Sequence, residues 1–342
     1  MKPALDAPVR IGILGAAKIA RVFAEAVRPS RKVALAAVAS RDLARAQAFA
    51  RELGIATAYG SYEELLNDPA LDAVYLPLPN NLHARWAIRA AEAGKHVLCE
   101  KPLAASASEA RDIFAAADRC GVAIVEGYPY RAQPQTLKVR ELLAARAIGR
   151  IRMVQASFGF PLADAGNIRM QPDLAGGALM DAGSYPVSFV RMVTGTRPLR
   201  VSAISHWGES GVDLTTLATL EFPEGLLAQV SCTFSSARHR HAFIAGDAGT
   251  IATTYFNDTG SAFPPLIEVR RGTGWDAQHE TIETAATAGF LAEAEAFHDL
   301  LCDGPAAWSG ASPDESIDIA ATLDAIAASA RSGTTVPLGP RG

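Results

Sequence analysis

Residues 9–20 read Val-Arg-Ile-Gly-Ile-Leu-Gly-Ala-Ala-Lys-Ile-Ala. The first six of them form a short apolar run, which is typical of a buried parallel strand. A glycine follows at position 15, and Lys18 to Val27 then has the pattern of a helix. This order predicts the first unit of a parallel sheet, because parallel strands are joined by crossover helices.

The same alternation of strand and helix continues to about residue 125. Further strands are predicted at 32–39, 73–78, 96–99 and 122–125, and helices at 42–53, 81–93 and 106–119. Alternation of this kind favours an α/β fold with a doubly wound parallel sheet, covered on both faces. Residues 1–127 are therefore predicted to form one domain, of the Rossmann type.

A different pattern follows. Strands are predicted at 201–207, 214–222, 226–234 and 242–245, with short turns and no helices between them. Such a succession indicates an antiparallel sheet, and residues 128–311 are predicted to form a second α/β domain. A capping box at Ser312 opens a last helix over 312–333, which is expected to pack back on the first domain.

The composition excludes several classes of partner. The chain has 342 residues, with 32 Lys and Arg against 36 Asp and Glu and a net charge of −4, whereas nucleic-acid-binding proteins usually carry a basic domain. No apolar run approaches the roughly 18 residues of a membrane span. Met1 to Arg10 lacks an apolar signal-peptide core. Because the four cysteines are scattered, we interpret them as reduced thiols and expect a cytoplasmic protein.

The turn after the first strand resembles a dinucleotide-binding fingerprint. Gly12 begins this segment and is predicted to contact the cofactor. Gly15 allows the tight turn, Ala17 stands at the second glycine position, and Ala20 is small enough for helix packing. The N–H groups that open the helix favour phosphate. We therefore predict cofactor contacts also from Ala16, Lys18 and Ile19. A strand–helix turn without a ligand is the open alternative.

The end of the second strand bears on the choice of cofactor. An NAD site normally places an acidic residue there, but this chain has Ser40 and Arg41. A hydroxyl and a guanidinium suit a 2′-phosphate, so NADP(H) is predicted over NAD(H), with NAD still possible. Asp42 is better explained as a helix cap. The alternative for Arg41 is a solvated loop residue.

Residues 94–104 read Gly-Lys-His-Val-Leu-Cys-Glu-Lys-Pro-Leu-Ala. They run from a helix stop through a strand to Glu100, Lys101 and Pro102 at its carboxyl end. Ligands of open α/β sheets bind at that edge. A lysine there can reach both a nicotinamide and a substrate, and Pro102 restricts the backbone of Lys101 to extended conformations.

Together with Pro79-Asn80-Asn81-x-His83 and the block Gly-Gly-Ala-Leu-Met-Asp-x-Gly-x-Tyr at 176–185, these segments resemble the Gfo/Idh/MocA oxidoreductase family. The resemblance spans the whole chain in order and spacing. It implies a Rossmann domain followed by an α/β domain with a large, mostly antiparallel open sheet. It also implies NAD(P)-dependent oxidation or reduction of sugars, polyols and related alcohols, with Lys101 as a catalytic residue.

One position indicates which branch of this family the chain resembles. Where many family members have a histidine as acid/base, this chain has Tyr185, which is similar to the branch of glucose-fructose oxidoreductase, dihydrodiol/xylose dehydrogenase and sugar ketoreductases. A nearby ammonium stabilises a phenolate, so Lys101 and Tyr185 make a workable acid/base pair. Asp181, four residues earlier, is predicted to bind a substrate hydroxyl. A packing role for Tyr185 and a helix-capping role for Asp181 remain the alternatives.

Other cofactor contacts follow from the resemblance. They are predicted at Leu78, Pro79, Asn80, His83, Glu100, Lys101 and Arg169. His83 is as well explained by a helix start as by ribose contact. His239 and His241 share one strand face, but no further ligands are evident, so no metal site is predicted.

The leading function is an NADP(H)-dependent sugar or polyol oxidoreductase with a small sugar-like substrate. A trans-dihydrodiol dehydrogenase, an NAD-dependent glycosidase and a non-catalytic NADP-sensing regulator are the alternatives. No nucleic-acid or membrane partner is expected. Since an open sheet leaves one face to be covered, a homodimer or homotetramer is expected.

Overall fold

The computed structural model describes residues 7–339, and their contacts divide them into two compact units. The first unit holds residues 7–104, 108–133 and 287–313, and the second holds 105–107, 134–286 and 314–339. Apart from residues 105–107, the chain first passes into the second unit after residue 133, and the sequence-based boundary at 127 stays a prediction. The prediction that Met1 to Arg10 lacks a signal-peptide core concerns residues 1–6, which lie outside the described residues.

The first unit contains a parallel sheet in the order β3-β2-β1-β4-β5-β6. Its strands are β1 (Val9–Leu14), β2 (Val33–Ala39), β3 (Thr57–Tyr59), β4 (Ala73–Leu76), β5 (His96–Glu100) and β6 (Ile124–Gly127). The helices of this part of the chain are α1 (Lys18–Val27), α2 (Leu43–Leu53), α3 (Tyr62–Leu66), α4 (His83–Glu92) and α5 (Ala107–Cys120). This is the predicted doubly wound sheet, with the order of strands reversing between β1 and β4.

The apolar residues of the β strands form the core of this unit. Ile11 and Ile13 are fully buried, and Phe23 of α1 stacks on Tyr75 of β4 with ring centroids 3.8 Å apart. Gly12 is small for a packing reason, because an added Cβ would lie within 2.8 Å of the side chains of Leu65 and Leu71. Its predicted cofactor contact therefore has a structural alternative.

The second unit is built on a sheet in the order β14-β13-β12-β11-β7-β10-β9-β8-β15. Its strands are β7 (Ile151–Gly159), β8 (Arg200–Trp207), β9 (Asp213–Glu221), β10 (Leu227–Thr233), β11 (His239–Gly246), β12 (Gly249–Thr254), β13 (Leu266–Arg271), β14 (Gln278–Glu283) and β15 (Val336–Pro337). The strands pair antiparallel except β7 with β10, which pair parallel. The later helices of the chain are α6 (Pro134–Ala144), α7 (Ser184–Thr194), α8 (Gly289–Asp303) and α9 (Pro313–Ser332). The large, mostly antiparallel sheet is as expected.

The last two long helices of the chain lie in different units. Phe290 and Phe297 of α8 join the core around Phe23, whereas α9 belongs to the second unit except for its first residue. There, Arg191 of α7 donates to the fully buried carboxylate of Asp318 over 2.8 Å. This ion pair holds the last helix to α7.

Among residues 7–339, no helix is long and apolar enough to cross a membrane.

Candidate cofactor and substrate sites

The turn between β1 and α1 has the conformation that the fingerprint requires. Gly15 has a φ of +119°, which side chains rarely adopt, and an added Cβ would lie 3.0 Å from Leu78. Ala17 is the N-cap residue of α1 and makes no side-chain capping bond. Ala16 is half-buried, and Lys18 and Ile19 are exposed in the first turn of the helix. A helix start without a side-chain cap has backbone N–H groups suited to a phosphate.

Two arginines and a tyrosine converge at the end of β2. Asp42 caps α2 by accepting from the backbone of Ala44 and Arg45, as predicted. Arg45 also donates to the carbonyl of Ala16 over 2.9 Å. Burial raises the pKa of Tyr62, and the positive charges of Arg41 and Arg45 oppose this rise. Positive charge is therefore concentrated beside the glycine turn.

The sequence predicts Arg41 at this place but does not point to Arg45 or Tyr62. Ser40, which is also predicted, is buried, and its hydroxyl accepts from Asp42 N over 3.3 Å. Arg45 lies in the first turn of α2, directly after the cap Asp42, so its closeness to the end of β2 could have been inferred from the predicted start of the helix. Tyr62 lies on α3 and no local pattern connects it to β2.

The carboxyl ends of β5 and β6 hold buried acidic groups. Glu100 ends β5, and its carboxylate accepts a 2.6 Å hydrogen bond from the Tyr75 hydroxyl. The Lys101–Pro102 peptide bond that follows is cis. Glu126 of β6 accepts from the backbone of Leu103 over 2.9 Å. The two hydrogen bonds hold Glu100 and Leu103, on the two sides of Lys101, in place.

His83 holds two loops together inside the first unit. The ring is fully buried, and its nitrogens lie 2.8 Å from the carbonyl oxygens of Pro102 and Leu78. Burial lowers the pKa of His83. Because both nitrogens lie within hydrogen-bond distance of a carbonyl oxygen, the side chain positions the segments that carry Leu78 and Lys101. The ribose contact of His83 stays a prediction. Pro79 and Asn80 lie in the intervening turn.

In the second unit, Asp181 and Tyr185 lie where a π-helical turn passes into α7. The turn spans Leu179–Gly183, and turns of this kind occur frequently at functional sites. Asp181 accepts a 2.8 Å bond from Arg169 Nε. Tyr185 is 4% exposed, and its oxygen accepts from Asn257 Nδ2 over 3.0 Å. Neither Asn257 nor the pairing of Arg169 with Asp181 was predicted.

The double glycine before this turn has a geometric reason. Gly177 has a φ of +110°, and an added Cβ would lie 2.2 Å from the Asp213 carboxylate. Asp213 accepts from the backbone of Leu179 and from the Thr216 hydroxyl, both over 2.8 Å. Burial raises the pKa of Asp213, and these hydrogen bonds oppose the rise. Asp213 thereby fixes the start of the turn that carries Asp181 and Tyr185.

His239 and His241 have ring centroids 5.7 Å apart on β11. In the described part of the chain, no three His, Cys, Asp or Glu residues are grouped so as to hold a metal ion.

Comparison with known proteins identifies the family. Residues 9–128 match the Gfo/Idh/MocA oxidoreductase family with an NAD-binding Rossmann fold, and residues 136–252 match the Gfo/Idh/MocA C-terminal domain. The chain is 40% identical over 334 residues to D-xylose 1-dehydrogenase (NADP(+)) 2 of Haloferax volcanii, covering 96% of this chain and 99% of that protein. It is 39% identical over 246 residues to trans-1,2-dihydrobenzene-1,2-diol dehydrogenase of Danio rerio, covering 71% of this chain and 73% of that one.

A solved structure has the same fold along nearly the whole chain. KijD10, a 3-ketoreductase from Actinomadura kijaniata in complex with NADP and TDP-benzene, superposes with a TM-score of 0.84 at 32% identity, covering 94% of this chain and 98% of that one. With its two domain matches, its relatives and its glycine turn, the chain belongs to the Gfo/Idh/MocA family of oxidoreductases.

Proposed function

We propose that this chain is an NADP(H)-dependent oxidoreductase that interconverts a hydroxyl and a carbonyl on a sugar, polyol or related cyclic alcohol. The family supports the redox chemistry, and the xylose dehydrogenase at 40% identity supports a sugar-like substrate. The observation that carries the preference for NADP(H) is the convergence of Arg41 and Arg45 on Tyr62 beside the glycine turn.

The residues present fit this cofactor. Gly15 and the start of α1 would hold the pyrophosphate, while Ser40, Arg41 and Arg45 would hold the 2′-phosphate. Asp42, the acidic residue nearest to the end of β2, is engaged as the cap of α2. No carboxylate is therefore offered to a ribose 2′-hydroxyl from this loop.

The cofactor preference is tested by comparing the KM values for NADP+ and NAD+. Arg41→Ala and Arg45→Ala are each expected to raise the KM for NADP+ by about 10- to 100-fold, because each removes a charge-assisted bond, and to leave that for NAD+ nearly unchanged. Arg89→Ala is the matched control, since Arg89 makes an exposed ion pair with Glu63. A wild type that prefers NAD+ would contradict the proposal.

When bound, the nicotinamide supplies or accepts the hydride. We assign Tyr185 as the group that gives or takes the proton of the substrate oxygen, and Lys101 as the ammonium that stabilises its phenolate and donates to that oxygen. The bond from Asn257 uses the tyrosine oxygen as acceptor, so it does not consume the tyrosine O–H. Asp181, held by Arg169, is proposed to bind a further substrate hydroxyl.

Lys101→Ala and Tyr185→Phe test these two roles. Each is expected to lower kcat by about 10²- to 10⁴-fold, the usual value of a positioned proton donor. A near wild-type rate in either variant would remove that residue from the mechanism.

A trans-dihydrodiol dehydrogenase is the second candidate, and an aromatic cluster beside Tyr185 favours it. Phe158 meets the Tyr185 ring edge-on at 5.4 Å, and Phe160 continues the cluster to Phe234. A panel of aldoses, polyols and cyclic diols, followed by NADPH absorbance, separates the two. Activity on cyclic diols alone would favour the second candidate. NADP binding without turnover of any compound would favour a regulator.

We also propose a cytoplasmic homo-oligomer. The four cysteines are free thiols, as expected in a reducing compartment. One face of the large sheet carries neighbouring apolar side chains that are exposed, among them Ile204 (72%) and Leu217 (43%). A second copy is the proposed cover of this face. Ile204→Glu with Leu217→Glu should then reduce the mass measured by light scattering, whereas Leu199→Glu, just before β8, should not.

A further inference from the structure

A buried arginine is stacked on the ring of Tyr185. Arg240 of β11 is 6% exposed, and its guanidinium carbon lies 4.0 Å from the ring centroids of both Tyr185 and Phe158. The ring centroids of Tyr255 and Phe256 lie 5.7 and 5.8 Å from the same guanidinium carbon. Taking a charge out of water is costly, so the contacts that a guanidinium makes in this position have to offset that cost.

Arg240 also reaches the oxygen of Tyr185 through one intermediate residue. Its Nη1 donates to the carbonyl of Tyr255 over 3.0 Å and to Asn257 Oδ1 over 2.9 Å. Because Oδ1 faces the arginine, the amide nitrogen of Asn257 faces the tyrosine, to whose oxygen it donates over 3.0 Å. The tyrosine thus has a cation over its ring and a hydrogen-bond donor at its oxygen.

The charge of Arg240 is not neutralised by an acidic partner. Within residues 7–339, no carboxylate forms an ion pair with it, and its Nε has no hydrogen-bond partner. Asp181, on the turn before Tyr185, is instead paired with Arg169. The positive charge of Arg240 therefore faces the aromatic rings around it.

We infer that Arg240 is a positioning residue for Tyr185, which it holds by stacking and, through Asn257, supports in the phenolate form. This inference rests on the proposed role of Tyr185. In oxidation, a hydride leaves the substrate carbon for the cofactor and a proton leaves the substrate oxygen for the phenolate; reduction reverses both transfers. A cation over the ring and an amide donor at the oxygen both stabilise the phenolate partner of this exchange.

A double-mutant cycle tests the inference. It compares kcat for the wild type, Arg240→Met, Tyr185→Phe and the double variant, at raised enzyme concentration where rates are low. Methionine keeps an unbranched apolar chain between the rings but removes the charge and the donors. Arg240→Met is expected to lower kcat by about 10- to 100-fold with an unchanged KM for NADP+, and to change kcat less than about 3-fold in the Tyr185→Phe background.

Two further variants provide an independent test and a control. Asn257→Asp is nearly isosteric, yet its carboxylate cannot donate to the tyrosine oxygen, so it should lower kcat only when Tyr185 is present, even if Arg240→Met fails to fold. His241 directly follows Arg240 on β11, and its side chain is exposed on the opposite face of the strand, so His241→Ala should leave kcat unchanged.

The possible failures are distinct. An equal loss from Arg240→Met with and without the tyrosine hydroxyl, or no loss at all, would overturn the positioning role. A wild-type rate in Tyr185→Phe would instead overturn the role proposed for Tyr185 itself.

Discussion

Glu293 lies on α8 with both carboxyl oxygens buried and without a hydrogen-bond partner in the described structure. The side chain is 1% exposed, and both oxygens would lie 3.5 Å from a Cβ added at Gly127, at the end of β6. Burial and the negative charge of Glu100 raise the pKa of Glu293 well above its usual range. At a pH between the unfolded and the folded pKa of Glu293, the folded protein therefore favours the neutral acid, and the unfolded chain favours the carboxylate.

Glu293→Gln removes this coupling between folding and protonation. With a raised pKa in the folded state, the contribution of Glu293 to stability is fully present below the unfolded value of about 4.3 and is lost as pH rises toward the folded value. The loss has a maximum slope of about 1.4 kcal/mol per pH unit. From pH 5 to pH 7, the variant should therefore gain up to about 2.7 kcal/mol relative to the wild type.

Urea unfolding at pH 5, 6 and 7 measures this difference. Glu295→Gln is the matched control on the same helix, because Glu295 is only half-buried and accepts a hydrogen bond from Ser30. Its free energy of unfolding should follow that of the wild type across the pH range. A Glu293→Gln curve parallel to the wild-type curve would refute the reasoning, since it would mean that Glu293 ionises equally in both states.

Three other substitutions have expected effects on the free energy of unfolding, each measured by urea titration. Gly177→Ala should lose about 2–3 kcal/mol, because it combines a φ of +110° with a clash on Asp213; Gly195→Ala, whose Cβ would meet nothing within 4 Å, should lose only about 1 kcal/mol. Asp318→Asn should lose about 3–5 kcal/mol, because it breaks the buried 2.8 Å pair and leaves Arg191 only the 4.0 Å pair with Glu315. Glu221→Gln, which breaks the exposed pair with Arg200, should lose less than about 1 kcal/mol. His83→Ala should lose about 2–4 kcal/mol, since it leaves a cavity and two buried carbonyls. A loss within error of zero for Gly177→Ala, Asp318→Asn or His83→Ala would contradict the contact on which that prediction rests.

The parallel sheet could be read from the sequence because its strands are continuous apolar runs. β1 has the predicted bounds, and β2, β4, β5 and β6 begin or end within two residues of theirs. β3 escaped notice because it has three half-buried residues. β14 did so because five of its six residues are exposed, and an edge strand with polar side chains on both faces has no alternating pattern.

The surroundings of Tyr185 were harder to predict, since they come from distant parts of the chain. Asn257 lies in a loop, and nothing local connects it with the turn before α7. Arg240 did leave a signal: it alternates with Ala242 and Ile244 on β11, and all three are buried. A charged residue on the apolar face of a strand indicates a partner that the local pattern does not show.

The distribution of charge explains why a nearly neutral chain can serve anionic chemistry. A net charge of −4 excludes a broad basic surface, but each unit concentrates positive charge at one place. In the first unit Arg41 and Arg45 meet at Tyr62, where an exposed cluster suits a phosphate. In the second unit Arg240 is buried against Tyr185, where its charge is screened less than it would be in water. We propose that the first arrangement selects a ligand that carries a phosphate and that the second favours a phenolate, because the location of a charge in the protein matters more than the total.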